Sequence, residues 1–421
     1  MDLDQSKTGK VCFIAGALPG ETVHWRRIKS KRSFEEGELV EVIEPSPDRV
    51  VPKCRYISDC GGCELQHLES SAQLAFKESQ VKRAFSSARI EPREWLPSIS
   101  GNPWRYRRRA RLAVAFKGNQ VLLGYRRRSS RSVVAVDSCV VVDPKLDELI
   151  PNLARRLSNL HSTGLSEIEL SRGDSAAKTV ESGNAEIGIC LSVKVAPTET
   201  QLQPLLDFCD SRGIQLWYRS GKSLPKSIRE YPPLQARLSD ELSMNFRPGQ
   251  FVQVNADINR KMIATALNLL DINSSHRVLD LFCGAGNFSL PLAHKALSLL
   301  GIEGLANLVA QADSNSKQLG LDDAEYRVSD LFAANALSGK QFTKSRFDRV
   351  LIDPPRTGAK ELMDGLVKIS PQKMVYVSCH PATMVRDTKI LVDGGYQLAK
   401  VGVIDMFPQT THVEAIALLE K

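Results

Sequence analysis

Four short apolar runs in the C-terminal part of the chain constrain its fold most: Val278-Leu279-Asp280-Leu281-Phe282, Leu299-Leu300-Gly301-Ile302-Glu303, Arg349-Val350-Leu351-Ile352-Asp353 and Met374-Val375-Tyr376-Val377-Ser378. Each is strand-length, and each is separated from the next by enough residues for a helix. Runs that are apolar throughout, rather than alternating, belong to strands covered on both faces. Parallel strands need a crossover connection, which the intervening segments supply. The expected fold class of this region is a doubly wound, Rossmann-like α/β unit with a parallel sheet. Such a sheet carries its ligands at the carboxyl ends of the strands, so the residues that close each run are the first candidates for function.

With 421 residues the chain is too long for one core, and we expect three units: 1–48, 49–245 and 246–421. In the first, short β-type runs such as Val11-Cys12-Phe13-Ile14 alternate with Pro/Gly turns, as in a small OB-like β-barrel, shortened at its start. Pro45 and Pro47 then mark a turn or linker. In the second, apolar spacing predicts a helix over about 71–88, with Ser70 and Ser71 available as caps. Lys117-Gly118-Asn119 is a predicted hairpin turn between two apolar strands, further strands bracket a helix near 203–209, and Ser171 to Asn184 reads as an exposed loop, making this unit α+β.

Hydrophobic residues make up 42% and charged residues 25%, the proportions of a soluble globular protein, and no apolar run is long enough to span a bilayer. The N-terminus has neither a basic nor an apolar leader segment. A cytoplasmic, monomeric protein without membrane contact is expected.

Asp280-Leu281-Phe282-Cys283-Gly284-Ala285-Gly286-Asn287-Phe288 lies where a strand passes into a helix, and its glycines let the backbone approach a ligand. Glu303 follows Gly284 by 19 residues at the end of the next run, where an acid can accept from ribose hydroxyls. The third glycine of the dinucleotide fingerprint is missing, which favours S-adenosyl-L-methionine (SAM) over NAD; a turn that only packs helix on strand is the plainer alternative. Asp330 and Asp353, the latter within Asp353-Pro354-Pro355-Arg356, also close predicted strands and either bear on the ligand or cap a turn.

Cys379 follows a strand directly and precedes a predicted helix start, whose positive end would stabilise a thiolate. The plainer reading is a small buried hydrophobe, which suits Cys12, Cys190, Cys209 and Cys283 better. Glu414 opens the last apolar strand, where it is either a general base or an ordinary strand-end carboxylate.

Cys54-x5-Cys60-x2-Cys63, with Cys139 further on, is a four-thiolate set able to bind a [4Fe-4S] cluster, or zinc with Cys139 or His67 as fourth ligand. Disulfides are not expected of a cytoplasmic chain. The net charge is +8 (56 − 48), yet 100–131 holds ten Lys or Arg and no acid, so the remainder sums to −2. Within it, Trp104-Arg105-Tyr106-Arg107-Arg108-Arg109 and Tyr125-Arg126-Arg127-Arg128 mix cations with rings, a composition suited to RNA.

In order along the chain, Phe251-Val252-Gln253-Val254-Asn255, Asp280 to Phe288, Asp353-Pro354-Pro355-Arg356, Ser378-Cys379-His380-Pro381 and His412-Val413-Glu414 resemble the uracil-5-methyltransferases of ribosomal and transfer RNA. The resemblance implies Cys379 as nucleophile toward uracil C6, Glu414 as base for the C5 proton, SAM contacts at Gln253, Phe282, Asn287, Glu303, Asp330 and Asp353, and Phe251 beside a flipped-out target base. It also implies an iron–sulfur cluster on Cys54, Cys60, Cys63 and Cys139. Phe13-Ile14-Ala15-Gly16-Ala17-Leu18-Pro19-Gly20-Glu21 resembles the TRAM barrel, an RNA-binding module. Barrel and cluster together imply 23S rRNA as partner, at the uridine numbered 1939; another 23S uridine, or tRNA, is the alternative. A non-catalytic RNA-binding assembly factor is a second class of reading, and an amino-group methyltransferase a third, which Arg356 after the Pro-Pro pair disfavours.

Overall fold

The computed structural model describes residues 4–5, 10–118, 120–174, 186–339, 342 and 347–421. Strands β1 (Asp4–Gln5), β2 (Val11–Ala15), β3 (Thr22–Ser30) and β4 (Phe34–Glu44) form a four-stranded sheet in the order β1-β2-β4-β3. β2 and β4 run parallel and the other pairs antiparallel. Arg49 ties the turn after β4 back to this sheet, donating at 2.7 Å to the Glu21 carboxylate.

Helix α1 (Ser70–Ser87) buries Gln73, Lys77, Val81 and Phe85, one side chain per turn on a single face. The serines do not cap it. The N-cap is Glu69, whose backbone is extended (ψ 142°) because its N–H is held by the Asp48 carbonyl at 2.8 Å, so Ser70 and Ser71 already lie in the first turn.

After β5 (Glu94–Trp95), the central unit is a seven-stranded sheet in the order β12-β11-β10-β9-β6-β7-β8. Its elements are β6 (Arg109–Lys117), β7 (Gln120–Arg126), β8 (Val133–Ala135), α2 (Pro144–Asp147), α3 (Ile150–Leu153), β9 (Glu167–Arg172), β10 (Ile187–Val193), α4 (Glu199–Asp210), β11 (Gln215–Ser220) and β12 (Lys226–Ser227). β6 and β7 are the predicted hairpin, paired from Ala113–Gly124 to Lys117–Gln120. Asn119 in its turn, and 175–184 of the expected loop, lie outside the described residues; Ser171 and Arg172 belong to β9. Leu112, Leu153, Ile168, Leu170, Ile189 and Leu205 are central to the core of this unit. α4 opens on a reciprocal capping box between Thr198 and Gln201.

The C-terminal unit follows the hairpin β13 (Leu234–Arg237) and β14 (Ser243–Phe246). It comprises α5 (Ala256–Leu270), β15 (Arg277–Leu281), α6 (Ser289–Ala293), β16 (Ser298–Glu303), α7 (Ala306–Gln318), β17 (Ala324–Val328), β18 (Arg349–Ile352), α8 (Lys360–Ile369), β19 (Lys373–Ser378), α9 (Pro381–Asp393), β20 (Gln397–Ile404) and β21 (Glu414–Glu420). The sheet order is β17-β16-β15-β18-β19-β21-β20-β5. β17 to β19 are parallel, as the apolar runs predict. β21 is antiparallel to both its neighbours, because a short loop rather than a crossover helix joins it to β20.

Apolar side chains cover both faces of this sheet. Val81 and Phe85 of α1 pack with Leu279, Val350, Met374 and Val401 on one face. Ile258 and Met262 of α5 pack with Val375, Ile416 and Leu418 on the other. Thus α1 and β5 precede the central sheet in the chain yet pack on the C-terminal one. Among the described residues no helix is long and apolar enough to cross a membrane.

Candidate active site

A cavity of about 800 Å3 opens along the carboxyl ends of β15, β16, β18 and β19. Gln253, Phe282, Asn287, Glu303, Asp330, Asp353, Cys379 and Glu414, the residues named from sequence for cofactor and catalysis, all line it, together with Phe251, Arg107 and Arg356.

The glycine-bearing turn is shaped by backbone dihedrals that few residues adopt. Phe282, Gly284 and Gly286 have φ of 64°, 57° and 106°. A Cβ on Gly286 would meet the Leu290 side chain at 3.0 Å, so both its dihedral and its packing require glycine. Beneath the turn, Asp280 accepts from the Ser289 hydroxyl and is 1% exposed. At its mouth the Glu303 carboxylate accepts from Gly284 N–H at 3.2 Å and Leu305 N–H at 3.0 Å, which fixes both oxygens. Asp330 accepts from Phe332 N–H at 2.9 Å.

Sequence reading missed Asn259. It is fully buried on α5 and exchanges two amide hydrogen bonds with Asn287, at 2.9 and 3.0 Å. A polar residue between Ile258 and Met262 in the apolar stripe of a helix was the available signal. Asp387 was missed too. It is fully buried and accepts from Tyr376 Oη and Ala359 N–H, both at 2.7 Å, thereby tying the loop after Pro354-Pro355 to α9.

Cys379 and Glu414 are brought together by strand register. β19 and β21 pair Ser378 with Ala415 as the last rung of their antiparallel ladder, and Cys379 and Glu414, the next residue of each, both line the cavity just beyond it. Glu414 is 8% exposed; burial, then the Asp353 carboxylate, push its pKa up to about 8, and Lys77 acts against them. Burial pushes Asp353 up to about 7 and, with Asp353 and Glu303 adding to it, Asp280 up to about 8. The Cys379 thiol is raised rather than lowered, by burial and then by Glu414 and Asp353, with Arg356 opposing. The expected activation by the following helix is therefore outweighed by burial and by the neighbouring carboxylates. Carboxylates crowded into a desolvated cavity favour a cationic ligand, such as a sulfonium, and repel a pyrophosphate.

A second cavity, of about 160 Å3, is lined by Cys54, Cys60, Cys63 and Cys139, the four cysteines singled out from sequence. His67 lies near Arg49 and Glu21 instead. Burial pushes Cys63 up to about 12 and also raises Cys54 and Cys60. Gln66 Nε2 and Tyr125 Oη are buried donors with no hydrogen-bond partner among the described residues; both residues line this cavity, Gln66 facing the Cys63 thiol and Tyr125 that of Cys139. Sulfur acceptors carrying negative charge would satisfy them. Four thiols around one cavity, with the Gln66 and Tyr125 side chains directed at two of them, are a donor set that fits an iron–sulfur cluster. Among the described residues, no three Cys, His, Asp or Glu side chains are gathered as around a single metal ion.

The basic stretch is less free than its composition suggests. Arg105 pairs with Asp147 at 2.6 Å, Arg108 with Asp174 at 2.8 Å, Arg109 with Glu169 at 2.6 Å and Arg111 with Glu167 at 2.7 Å, and Arg127 meets Asp59. Acids distant in sequence neutralise these cations. Arg108 also donates to the Gln253 carbonyl at 3.0 Å and Arg109 stands 5.7 Å over the Phe251 ring, so the stretch builds one wall of the large cavity.

Comparison with known proteins agrees with this geometry. Two relatives are each named 23S rRNA (uracil(1939)-C(5))-methyltransferase RlmD. That of Nitrosococcus oceani is 40% identical over 423 residues, covering 98% of this chain and 92% of its own, and that of Shewanella amazonensis is 40% identical over 420 residues, covering 98% and 91%. The fold matches the crystal structure of Pyrococcus abyssi tRNA (uracil-54, C5)-methyltransferase in complex with S-adenosyl-L-homocysteine, with a TM-score of 0.74 and 24% identity over 98% of this chain and 96% of that one. The family model described as tRNA (Uracil-5-)-methyltransferase matches residues 69–421, and the chain belongs to that family.

Proposed function

We propose that this protein transfers a methyl group from SAM to C5 of uridine 1939 in 23S rRNA, through a covalent adduct between Cys379 and C6 of the base. Relatives bearing that name along nearly the whole chain support the substrate. The observation that carries the chemistry is the facing of Cys379 and Glu414 in a cavity that also holds the SAM-type turn.

Uracil C5 is a poor nucleophile. Addition of the Cys379 thiolate to C6 makes C5 an enolate carbon, which displaces S-adenosylhomocysteine from the methyl group. Glu414 then takes the C5 proton, the C5–C6 double bond re-forms, and the thiolate leaves. Thiolate formation at Cys379 is opposed by burial and by repulsion from Glu414 and Asp353. A sulfonium beside Asp353 reduces that repulsion, so SAM entry and nucleophile activation are linked. Gln253, Phe282, Asn287, Glu303, Asp330 and Asp353 would hold the cofactor, Glu303 accepting from its ribose hydroxyls. Phe251, 61% exposed at the rim, is placed to stack on the flipped uracil.

Cys54, Cys60, Cys63 and Cys139 would hold a [4Fe-4S] cluster, which supplies a rigid crosslink rather than electrons, since methyl transfer is not a redox step. Residues 1–48 act as a TRAM-like RNA-binding module, 49–245 as the cluster-bearing central unit and 246–421 as the methyl-transfer unit of a cytoplasmic monomer.

The test is adduct trapping. Glu414→Gln incubated with SAM and a 23S rRNA fragment containing uridine 1939 gives a protein–RNA band on a denaturing gel, and Cys379→Ala gives none. No band for Glu414→Gln with that fragment or with any other uridine-bearing RNA would refute the covalent mechanism.

A further inference from the structure

Lys77 has no place in the chemistry above, yet it is buried where a charge is expensive. Its side chain is 0% exposed and that of Asp405 is 10% exposed. Nζ donates to Asp405 Oδ1 at 2.6 Å and to the Phe407 carbonyl at 3.0 Å. An apolar side chain would fill such a position at lower cost if packing were its only purpose.

We propose that Lys77 is a positioning residue for methyl transfer: its buried ammonium seats the Asp405–His412 loop and so sets where Glu414, the first residue of β21, stands. The proposal rests on the reading of Glu414 as the base.

The loop joins β20 to β21, and Glu414 is the first residue of β21. It is held largely from outside its own unit. One turn before Lys77 on α1, the Gln73 amide exchanges hydrogen bonds with Gln409, accepting from its N–H at 3.0 Å and donating to its side chain at 3.1 Å. Gln409 has φ of 70°, a backbone state that needs such holding. Glu64 accepts from Thr411 N–H at 3.0 Å and Thr411 Oγ1 at 2.8 Å, and Tyr106 donates to the Pro408 carbonyl at 3.0 Å.

The charges around the base divide in two. Cys379 and Asp353 stand beside Glu414 at the ends of β19 and β18, and Arg356 is the cation acting on Cys379. Lys77 is the cation acting on Glu414 against Asp353. Asp405 and Glu64 also act on Lys77, and His412, two residues before the base, is itself under the influence of Arg356, Glu64, Lys77 and Arg107. α5, packed on β21, meets it through Ile258 and Met262.

The experiment uses the full-length protein, SAM and the rRNA fragment, and follows adduct formation and adduct breakdown separately across pH. Two variants are compared: Lys77→Met, and Lys77→Met with Asp405→Asn, which leaves no unpaired buried carboxylate if the first folds poorly. Breakdown requires ionised Glu414, so loss of the cation moves the acidic limb of the breakdown profile to higher pH by about one unit, making breakdown about tenfold slower at neutral pH. Adduct yield falls far less, and Lys77→Arg restores the limb. An unmoved limb in a folded variant, with or without a uniform loss of rate, overturns the proposal. Failure of Glu414→Gln to form any adduct overturns the reading of Cys379 and Glu414 instead, and the proposal falls with it.

Discussion

Cys379 and Glu414 face each other because β19 and β21 are antiparallel neighbours, with Ser378 paired to Ala415 one step away. Thirty-four residues separate the two in sequence, and α9 and β20 lie between them. The last strand returns between β19 and β20, so strand pairing brings the base to the same end of the sheet as the nucleophile. The carboxylate raises the proton affinity of the thiol, while its own is raised by burial and by Asp353.

That coupling gives a pH signature in stability. Glu414 is held at about 8, against an ordinary value of 4.5, so the folded state retains a proton that the unfolded state has lost. The resulting stability is fully present below about pH 4 and is lost as pH rises through about 8. Thermal melting of the ligand-free protein should therefore show Glu414→Gln gaining relative to wild type as pH is raised from about 5 to 8.5. The wild-type difference matters because His67, His276 and His412, all lowered by burial, contribute with the opposite sign. A constant gap between the two proteins across that range would count against a buried, protonatable Glu414.

Glu303 anchors the mouth of the cofactor site through Gly284 and Leu305. Glu303→Ala removes the acceptor for both backbone N–H groups and for a ligand's hydroxyls. SAM binding measured by calorimetry is expected to weaken by about tenfold or more, with little change in melting temperature.

Asn259 braces Asn287 from inside the core. Asn259→Ala leaves the Asn287 amide half unpaired and is expected to cost about 1–3 kcal/mol in denaturant unfolding. SAM affinity falls with it, because the turn that carries Asn287 loses its support.

The four clustered thiols act as a set. Cys60→Ser or Cys139→Ser should lower the iron content of anaerobically purified protein and its melting temperature together, whereas Cys283→Ser, buried in the glycine turn, should leave the iron unchanged. Equal iron in all three proteins would remove the cluster assignment.

Much of this site was legible before any coordinates. A run such as Arg349 to Ile352 is apolar because it is covered on both faces, and the residue that ends it, Asp353, then falls on the ligand-bearing edge by topology alone. Glycine demand at Gly286 and the placement of Glu303 follow from the same local geometry. Contacts between segments remote in sequence were not legible. The arginines of 100–131 lacked local acids, yet Asp147, Glu167, Glu169 and Asp174 pair with them across the central sheet. The antiparallel return of β21 leaves no periodic mark, since a strand covered on both faces looks the same in either direction. Nothing in the local pattern of α1 marks Lys77, and only the packing of that helix against the Asp405–His412 loop makes it a buried charge. Local patterning determined which residues sit at strand ends and which turn needs glycine. Pairing, burial and the resulting proton affinities were decided by the tertiary structure, because each depends on a partner that the chain supplies from elsewhere.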